Sequence, residues 1–580
     1  MYLNKLSANM MGFHTIKFKD GLNFIVGRRE NPAMKDLKET YNGLGKSLTI
    51  EIIHFCLGSN KTDAFKENLQ GWIFTLEFTI KGEKYVVSRS CDEQNNVILN
   101  GKKTSLKKYN KIMQEKVFDL NDDKKIDYLT FRSLISRFIR RYKSSYNKYD
   151  IYVSQETDYQ KLINNGYLLG LSAELIQNKM KLKKEIEQLG STKKTVEKDA
   201  VLKEYFVGNE DLDIQITDLK DEIKEVENKI RSFKVAENYK DMKLKADGIA
   251  HEKKEILNRL VIIENSIRKI DKSLKIKSDI QLESILQVYK EAQVVFEDKV
   301  VKNLEQVTEF HNKLLQNRQQ RLENQKNSMI NERLSLEQKA QEYGNELDKL
   351  MYFLGSHGAL EEYTAINDRL SELKLRLEKA TDYKNLLETY ENKLAEANIE
   401  IEKQKLQANK YIKENEELFE NIMSVFRTYS KTFYKDKASG LDIKVNDGAN
   451  QLRFDINAKI IGDSSDGISE VCIFCFDLTL LKLGNHNVNF LFHDSRLFAN
   501  MDPRQRLSLI KIVEDEAKKC NIQYIASLNE DLISTLKDVA PEEEYNHYSK
   551  LIEDNTILSL TDKCDEDKLL GMTIDIPYDK

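Results

Sequence analysis

Asn42-Gly43-Leu44-Gly45-Lys46-Ser47 is the stretch on which the fold turns. Before it, an apolar, strand-like run at 22–26 ends at Gly27; after it, 48–57 reads as an apolar helix. Two glycines ahead of Lys-Ser at a helix start let backbone N–H groups wrap an anion. The positive end of the helix adds to that attraction. In such a phosphate loop Lys46 reaches the β and γ oxygens of a nucleotide and Ser47 offers its hydroxyl to Mg2+. Gly27, Asn42, Gly43, Gly45, Lys46, Ser47 and Leu48 are therefore candidate nucleotide-binding residues, and ATP with Mg2+ is the expected cofactor pair. The strict spacing G-x-x-x-x-G-K-[ST] fails, because Thr40 holds the first glycine position. Gly27 serves instead if 28–41 carries an insertion. The alternative is a plain helix-start turn.

The chain around this motif falls into three zones. Residues 1–170 read as strands with a few helices, 171–430 as helix almost throughout, and 431–580 as mixed again. Charged residues make up 32 % of the 580 and apolar ones 40 %, too little apolar material for one large globule. No proline lies between Pro32 and Pro503, so the strongest helix breaker is missing from the whole middle zone. No run of about 18 apolar residues exists, which excludes a membrane-spanning helix. The net charge of −4 by itself calls for no polyanionic partner. Six sparse cysteines and no leader-like start point to a reducing cytoplasm.

Heptads organise the middle zone. Leu212, Ile216, Leu219, Ile223, Val226, Ile230 and Phe233 step alternately by four and three, as do Ile256, Leu260, Ile263, Ile267, Ile270 and Leu274. Ile366, Leu370, Leu373, Leu377 and Ala380 do so again. That period keeps one apolar seam against a partner helix, which predicts a coiled coil; one long amphipathic bundle is the alternative. Gly208-Asn-Glu-Asp and Gly355-Ser-His-Gly358 should break the helices, and a reversal is expected near 275–285. An antiparallel hairpin would then bring the third zone beside the first, since neither holds a complete core.

With that architecture the chain resembles the ABC-type ATPases of the SMC/RecN/RecF group. The resemblance implies an α/β ABC-type ATPase head built from both chain ends, plus a long antiparallel coiled-coil arm. It also implies a homodimer closing through its heads. Ser464-Ser465-Asp466-Gly467-Ile468-Ser469-Glu470 looks like the group's signature motif, with Ser465 and Gly467 as its match; an ordinary helix cap is the alternative. Val488–Phe492 followed by His493-Asp494-Ser495 looks like a Walker B strand. Asp494 is assigned to magnesium, together with Ser47. Ser495 then stands in the catalytic place of the usual water-polarising glutamate, so hydrolysis is expected to be slow. A register shifted by one would give His493 the magnesium place, but a hard cation favours oxygen ligands. Asp502 resembles the D-loop aspartate, one residue late, and Asn529 falls near the switch histidine. No convincing Q-loop glutamine is present; 131–142 occupies its neighbourhood.

Phe490–Phe498, Asp502-Pro-Arg-Gln505 and Ser356–Tyr363 are similar to a bacterial family of SMC-like proteins that look like the ATPase component of three-component (Menshen-type) ABC antiphage systems. That implies an antiviral sensor working with effector subunits, a nuclease or a protease. A host DNA-repair or chromosome-organising ATPase and a nucleotide-binding scaffold with little turnover are the alternatives. Residues 101–150 carry fourteen Lys and Arg against six acids. Arg132, Arg137, Arg140, Arg141 and Lys143 are expected to share a helix and to bind duplex DNA without reading its sequence. The alternative is a solvated basic face, or a contact to nucleotide or coil. The coil lacks cysteine, so no zinc hook joins its tip; Cys472-x-x-Cys475 is expected to be core.

Overall fold

The computed structural model describes residues 1–29, 43–121, 126–153, 155–199, 211–232, 237–275, 298–354, 359–462 and 466–574. The chain divides into two compact units, Met1–Lys194 with Tyr390–Lys580, and Thr195–Thr389.

The strands, all in the first unit, are β1 (Tyr2–Ala8), β2 (Ile16–Lys17), β3 (Leu22–Arg28), β4 (Ile73–Ile80), β5 (Glu83–Ser90), β6 (Asn96–Leu99), β7 (Lys102–Ser105), β8 (Ser439–Val445), β9 (Phe454–Ile460), β10 (Phe490–His493), β11 (Gln523–Asn529) and β12 (Thr556–Thr561). One sheet has the order β2-β1-β4-β5-β6-β7, antiparallel throughout. In it β4 alternates buried and half-buried residues, the period of a strand with one face on the core.

The second sheet is parallel, in the order β10-β11-β3-β12. Its middle strands are apolar and covered on both faces, as parallel strands require. Here β3 comes from the first thirty residues, while its neighbours β11 and β12 come from the last sixty. Ile139 adds a parallel bridge to Phe492 on the far side of β10. A helix, α1 (Lys46–Cys56), follows β3 and is buried along nearly its whole length. The helix Asp466–Leu483 carries Cys472 and Cys475 into the same core, where burial pushes the Cys472 thiol up to about 12.

The second unit is helical. Leu219, Ile223 and Val226 of the Leu212–Ser232 helix pack on Leu373, flanked by Ile366, Leu370 and Leu377. The Glu237–Lys275 helix runs antiparallel to Asp298–Leu354, since Arg259 meets Glu332 while Asp271 meets Lys326. Apart from Lys275 and Asp211 at their margins, the reversal expected near 275–285 and the breaks expected at 208–211 and 355–358 lie outside the described residues. No helix among the described residues is long and apolar enough to cross a membrane.

Candidate functional site

At the C-terminal edge of the parallel sheet, Gly27 is the penultimate residue of β3, and Gly43 and Gly45 lead into α1. Both Gly43 (φ 77°) and Gly45 (φ 100°) hold left-handed backbone that glycine adopts freely. A Cβ on Gly45 would also lie 2.5 Å from Leu569 Cβ. The chain's last described segment braces the turn there, with Leu569 N–H donating to Leu44 O at 3.1 Å. Gly27 lies close under the lysine tip: a Cβ on it would lie 2.6 Å from Lys46 Nζ. The lysine's end therefore lies against the bare backbone of β3 at Gly27.

Lys46 is buried at 6 % exposure. Burial lowers its ammonium to about 8, while Asp494 and Asp531 pull the other way. Ser47 Oγ donates to Asp494 Oδ2 at 2.8 Å. Leu48 is buried beneath them. Asp494, at 1 % exposure, is held from behind. Its Oδ1 accepts from Ser495 N–H and from Ser527 Oγ, both at 2.7 Å, and its own N–H donates to Tyr146 Oη at 2.8 Å. Arg496 Nε lies 3.6 Å from Oδ2. Ser527, Tyr146, Arg496 and Asp531 were not foreseen from the sequence.

The neighbouring His493 faces the other way. It is fully buried, its Nε2 lies 3.0 Å from Asp477 Oδ2, and its Nδ1 lies 3.2 Å from Tyr524 Oη. Burial lowers its pKa, against the pull of Asp477. Consecutive strand residues point to opposite faces, so His493 and Asp494 cannot both look at Ser47. The shifted register loses its geometric basis.

Asn529 ends β11 opposite Gly27 in the register. Its Oδ1 is buried with no hydrogen-bond partner among the described residues, an acceptor that a ligand group or water would satisfy. Asp502 caps the Pro503–Cys520 helix, accepting from the Arg504 and Gln505 N–H groups. Gly467 opens the Asp466–Leu483 helix, and a Cβ there would lie 2.9 Å from Asn500 O. Asn42 and Ser465 lie outside the described residues.

These groups fit Mg2+ and a nucleotide phosphate. Ser47 and Asp494 offer paired hard oxygens, and among the described residues no cluster of three His, Cys, Asp or Glu could hold a metal alone. Mg2+ typically binds through one or two carboxylates and takes the rest of its shell from phosphate and water.

The five basic residues expected on one DNA-binding helix are arranged otherwise. Only 131–135 is α-helical, and Lys143 opens a separate 3-10 turn, where it is exposed. Arg137 and Arg140 are fully buried, paired with Glu156 and Asp477. Arg141 is paired with Glu51 of α1, and Arg132 donates to Leu57 O and meets His54 Nδ1, each at 2.9 Å. Arg137 and Arg140 are corrected to interior residues, since burying a guanidinium demands carboxylate or carbonyl partners that consume the donors a phosphate backbone would need, whereas Arg132 and Arg141 are half-buried and Lys143 is exposed.

Residues 8–275 match the family model described as "AAA domain". Residues 429–574 match that described as "Uncharacterised protein conserved in bacteria (DUF2326)". Lys46 and Ser47 thus fall in one match, Asp494 and Asn529 in the other. The chain is 23 % identical over 545 residues to "Uncharacterized protein YydD" of Bacillus subtilis (strain 168), covering 88 % of this chain and 90 % of that one. Among solved structures, the Smc head domain with a coiled coil and joint from Pyrococcus yayanosii aligns with a TM-score of 0.37 and 13 % identity, over 95 % of this chain and 99 % of that one. The Smc head domain with an extended coiled coil bound to the C-terminal domain of ScpA, from Pyrococcus furiosus, aligns at 0.32 and 12 %, over 93 % and 91 %.

Proposed function

We propose that this chain is an SMC-like ATPase of the ABC type. Both of its ends contribute to one nucleotide-binding head, and two heads close on ATP. The observation that carries the reading is the 2.8 Å bond from Ser47 to Asp494, joining residues 447 apart beside a recessed Lys46. Gly27, Gly43 and Gly45 clear backbone for the phosphates, and Lys46 offsets their charge. Ser47 and Asp494 would hold Mg2+, which would supply charge stabilisation at the phosphate oxygens. Ser527 and the Ser495 N–H occupy Asp494 Oδ1, which orients Oδ2 toward Ser47. Ser465 and Gly467 of a second copy would complete the site, with Asp502 nearby and Asn529 accepting from a polar group of the ligand.

Ser495 sets the tempo. A hydroxyl does not accept a proton from water at neutral pH as a carboxylate does, so turnover is slow and ATP acts chiefly as a ligand that favours the closed dimer. The alternative of a scaffold with no turnover draws on the same observation, since the Ser495 N–H and Oγ both engage Asp494. In the fuller reading the closed dimer engages duplex DNA in the cytoplasm through surfaces other than the buried Arg137 and Arg140. It would then signal to effector subunits of a defence complex, a nuclease or a protease.

Lys46→Ala tests the core of this. Wild-type protein is expected to bind Mg-ATP, to self-associate with it, and to release phosphate slowly, faster with duplex DNA. The variant is expected to lose all three, measured by calorimetry, light scattering and phosphate release. Undiminished Mg-ATP binding by a folded variant would falsify the site. Binding and association without any phosphate release would select the scaffold.

A further inference from the structure

The first unit contains a second concave site, a cavity of about 430 Å3 at the other end of α1. That volume lies within the range of small-molecule pockets, about 300–1,000 Å3. Its lining includes Lys61, Arg132 and Arg141 and no acidic residue. Arg141 is neutralised by Glu51, which accepts from its Nε at 2.6 and 2.7 Å. Arg132 has no carboxylate partner among the described residues; its two bonds go to Leu57 O and His54 Nδ1. Lys61, exposed at the rim, has none there either.

His54 cannot supply the missing negative charge. Its Nε2 lies 3.0 Å from Ile139 O, so the ring donates there and turns a lone pair on Nδ1 toward Arg132. Burial, then Arg132 and Arg141, hold its pKa well below the ordinary value, so it stays neutral. Burial and Arg141 push the Arg132 guanidinium down to about 9, which leaves it charged at neutral pH. A recessed cation without a counter-ion is costly until an anion reaches it. A guanidinium beside a second guanidinium, with an ammonium at the mouth, matches a phosphate in shape and charge.

We propose that this cavity binds a small phosphate-bearing molecule, of pyrophosphate or nucleotide size, through Arg132, Arg141 and Lys61, separately from the Gly43–Ser47 turn. Ser47 is in the first turn of α1 and His54 in its last, about 10 Å further along the axis. Arg141, in the cavity lining, reaches Glu51 midway along α1. A ligand that draws Arg141 away from Glu51 loosens a contact one turn from Ser47, which makes the cavity a place where a metabolite could tune the first site.

The test uses the full chain carrying Lys46→Ala, so that binding at the Gly43–Ser47 turn is suppressed. Titration with inorganic pyrophosphate and with AMP is expected to show one saturable site for at least one of them. Adding Arg132→Gln should weaken it at least tenfold, and Lys61→Glu severalfold. Binding that vanishes with Lys46→Ala alone, or that survives Arg132→Gln in a folded protein, overturns the proposal. Should Arg132→Gln fail to fold, the exposed Lys61→Glu decides, and unchanged affinity overturns it. A short DNA duplex that binds in a Lys61- and Arg132-dependent way, where neither small anion binds, also overturns it, because the site then serves nucleic acid. The failure of the first site would appear with unmutated Lys46 and Mg-ATP, so the two outcomes are distinguishable.

Discussion

Charge is handled in opposite ways in the two units. In the first, Arg140 and Asp477 are both fully buried and joined at 2.5 Å, and Tyr152 and His493 complete the carboxylate's partners. In the second, Arg259 and Glu332 face each other at 2.9 Å with side chains 55 % and 41 % exposed. The chemical pair is the same, yet its energetic meaning differs. A buried pair has lost its hydration and depends on each partner for compensation. An exposed pair keeps most of its hydration and gains little from the contact. The lesson is that a basic residue in this chain is interpretable only once its burial is known.

The sharpest way to break the comparison is to remove one half of the buried pair. Arg140→Met leaves Asp477 with His493 and Tyr152 but without its guanidinium. Burial alone would raise the Asp477 pKa; Arg140 is first among the groups that hold it below the ordinary value. The expected loss is about 3–5 kcal/mol in denaturant unfolding of the first unit. Because Trp72 is the sole tryptophan and is buried in that unit, its fluorescence reports the transition. Adding Asp477→Leu should restore much of the loss. Equal destabilisation by the single and double variants would refute the account of the pair.

Acid sharpens the comparison next. His54 and His493 have pKa values lowered by burial, and burial lowers His486 to about 4. Each folded value lies below the ordinary 6.5, so on acidification the unfolded chain takes up these protons first. The stability they contribute is present above about pH 6.5 and is lost as pH falls toward the folded values. From pH 6.5 to 5.5 a histidine held as low as His486 costs about 1 kcal/mol, and His54 and His493 act in the same direction. His251 in the second unit is 74 % exposed. Trp72 fluorescence should therefore show the first unit weakening while the arm's helical circular dichroism persists. A pH-independent Trp72 transition between those values would contradict the neutral, buried assignment.

What the sequence disclosed follows the same line between local and distant causes. The Gly43–Ser47 turn was legible because its requirements, positive φ and a lysine at a helix start, are written in adjacent residues. The heptads were legible because the seam repeats along one helix: Leu219, Ile223 and Val226 meet Leu373. Ser527 left no such trace. It matters only because β11 pairs with β10 in a register that sets it 2.7 Å from Asp494. The arginines of 132–141 misled for the complementary reason, since a charge run carries no mark of its own burial. Tyr146, Tyr149 and Tyr152, spaced by three just beyond them and all buried, were the one local hint of an interior segment.

The smallest effect belongs to the arm. Arg259→Ala removes an exposed cation whose partner Glu332 remains hydrated on the outer face of the helix pair. Each side chain loses rotamer freedom when the pair forms, which offsets most of the Coulomb gain. The expected loss is about 0.5 kcal/mol or less, falling further at high salt. It is measured as the shift in the denaturant midpoint followed by circular dichroism at helical wavelengths. Alanine's higher helix propensity works against even that loss. A loss approaching that of Arg140→Met would mean that the arm's ion pairs, rather than its leucine and isoleucine seam, hold the two helices together, and the contrast between the units would no longer stand.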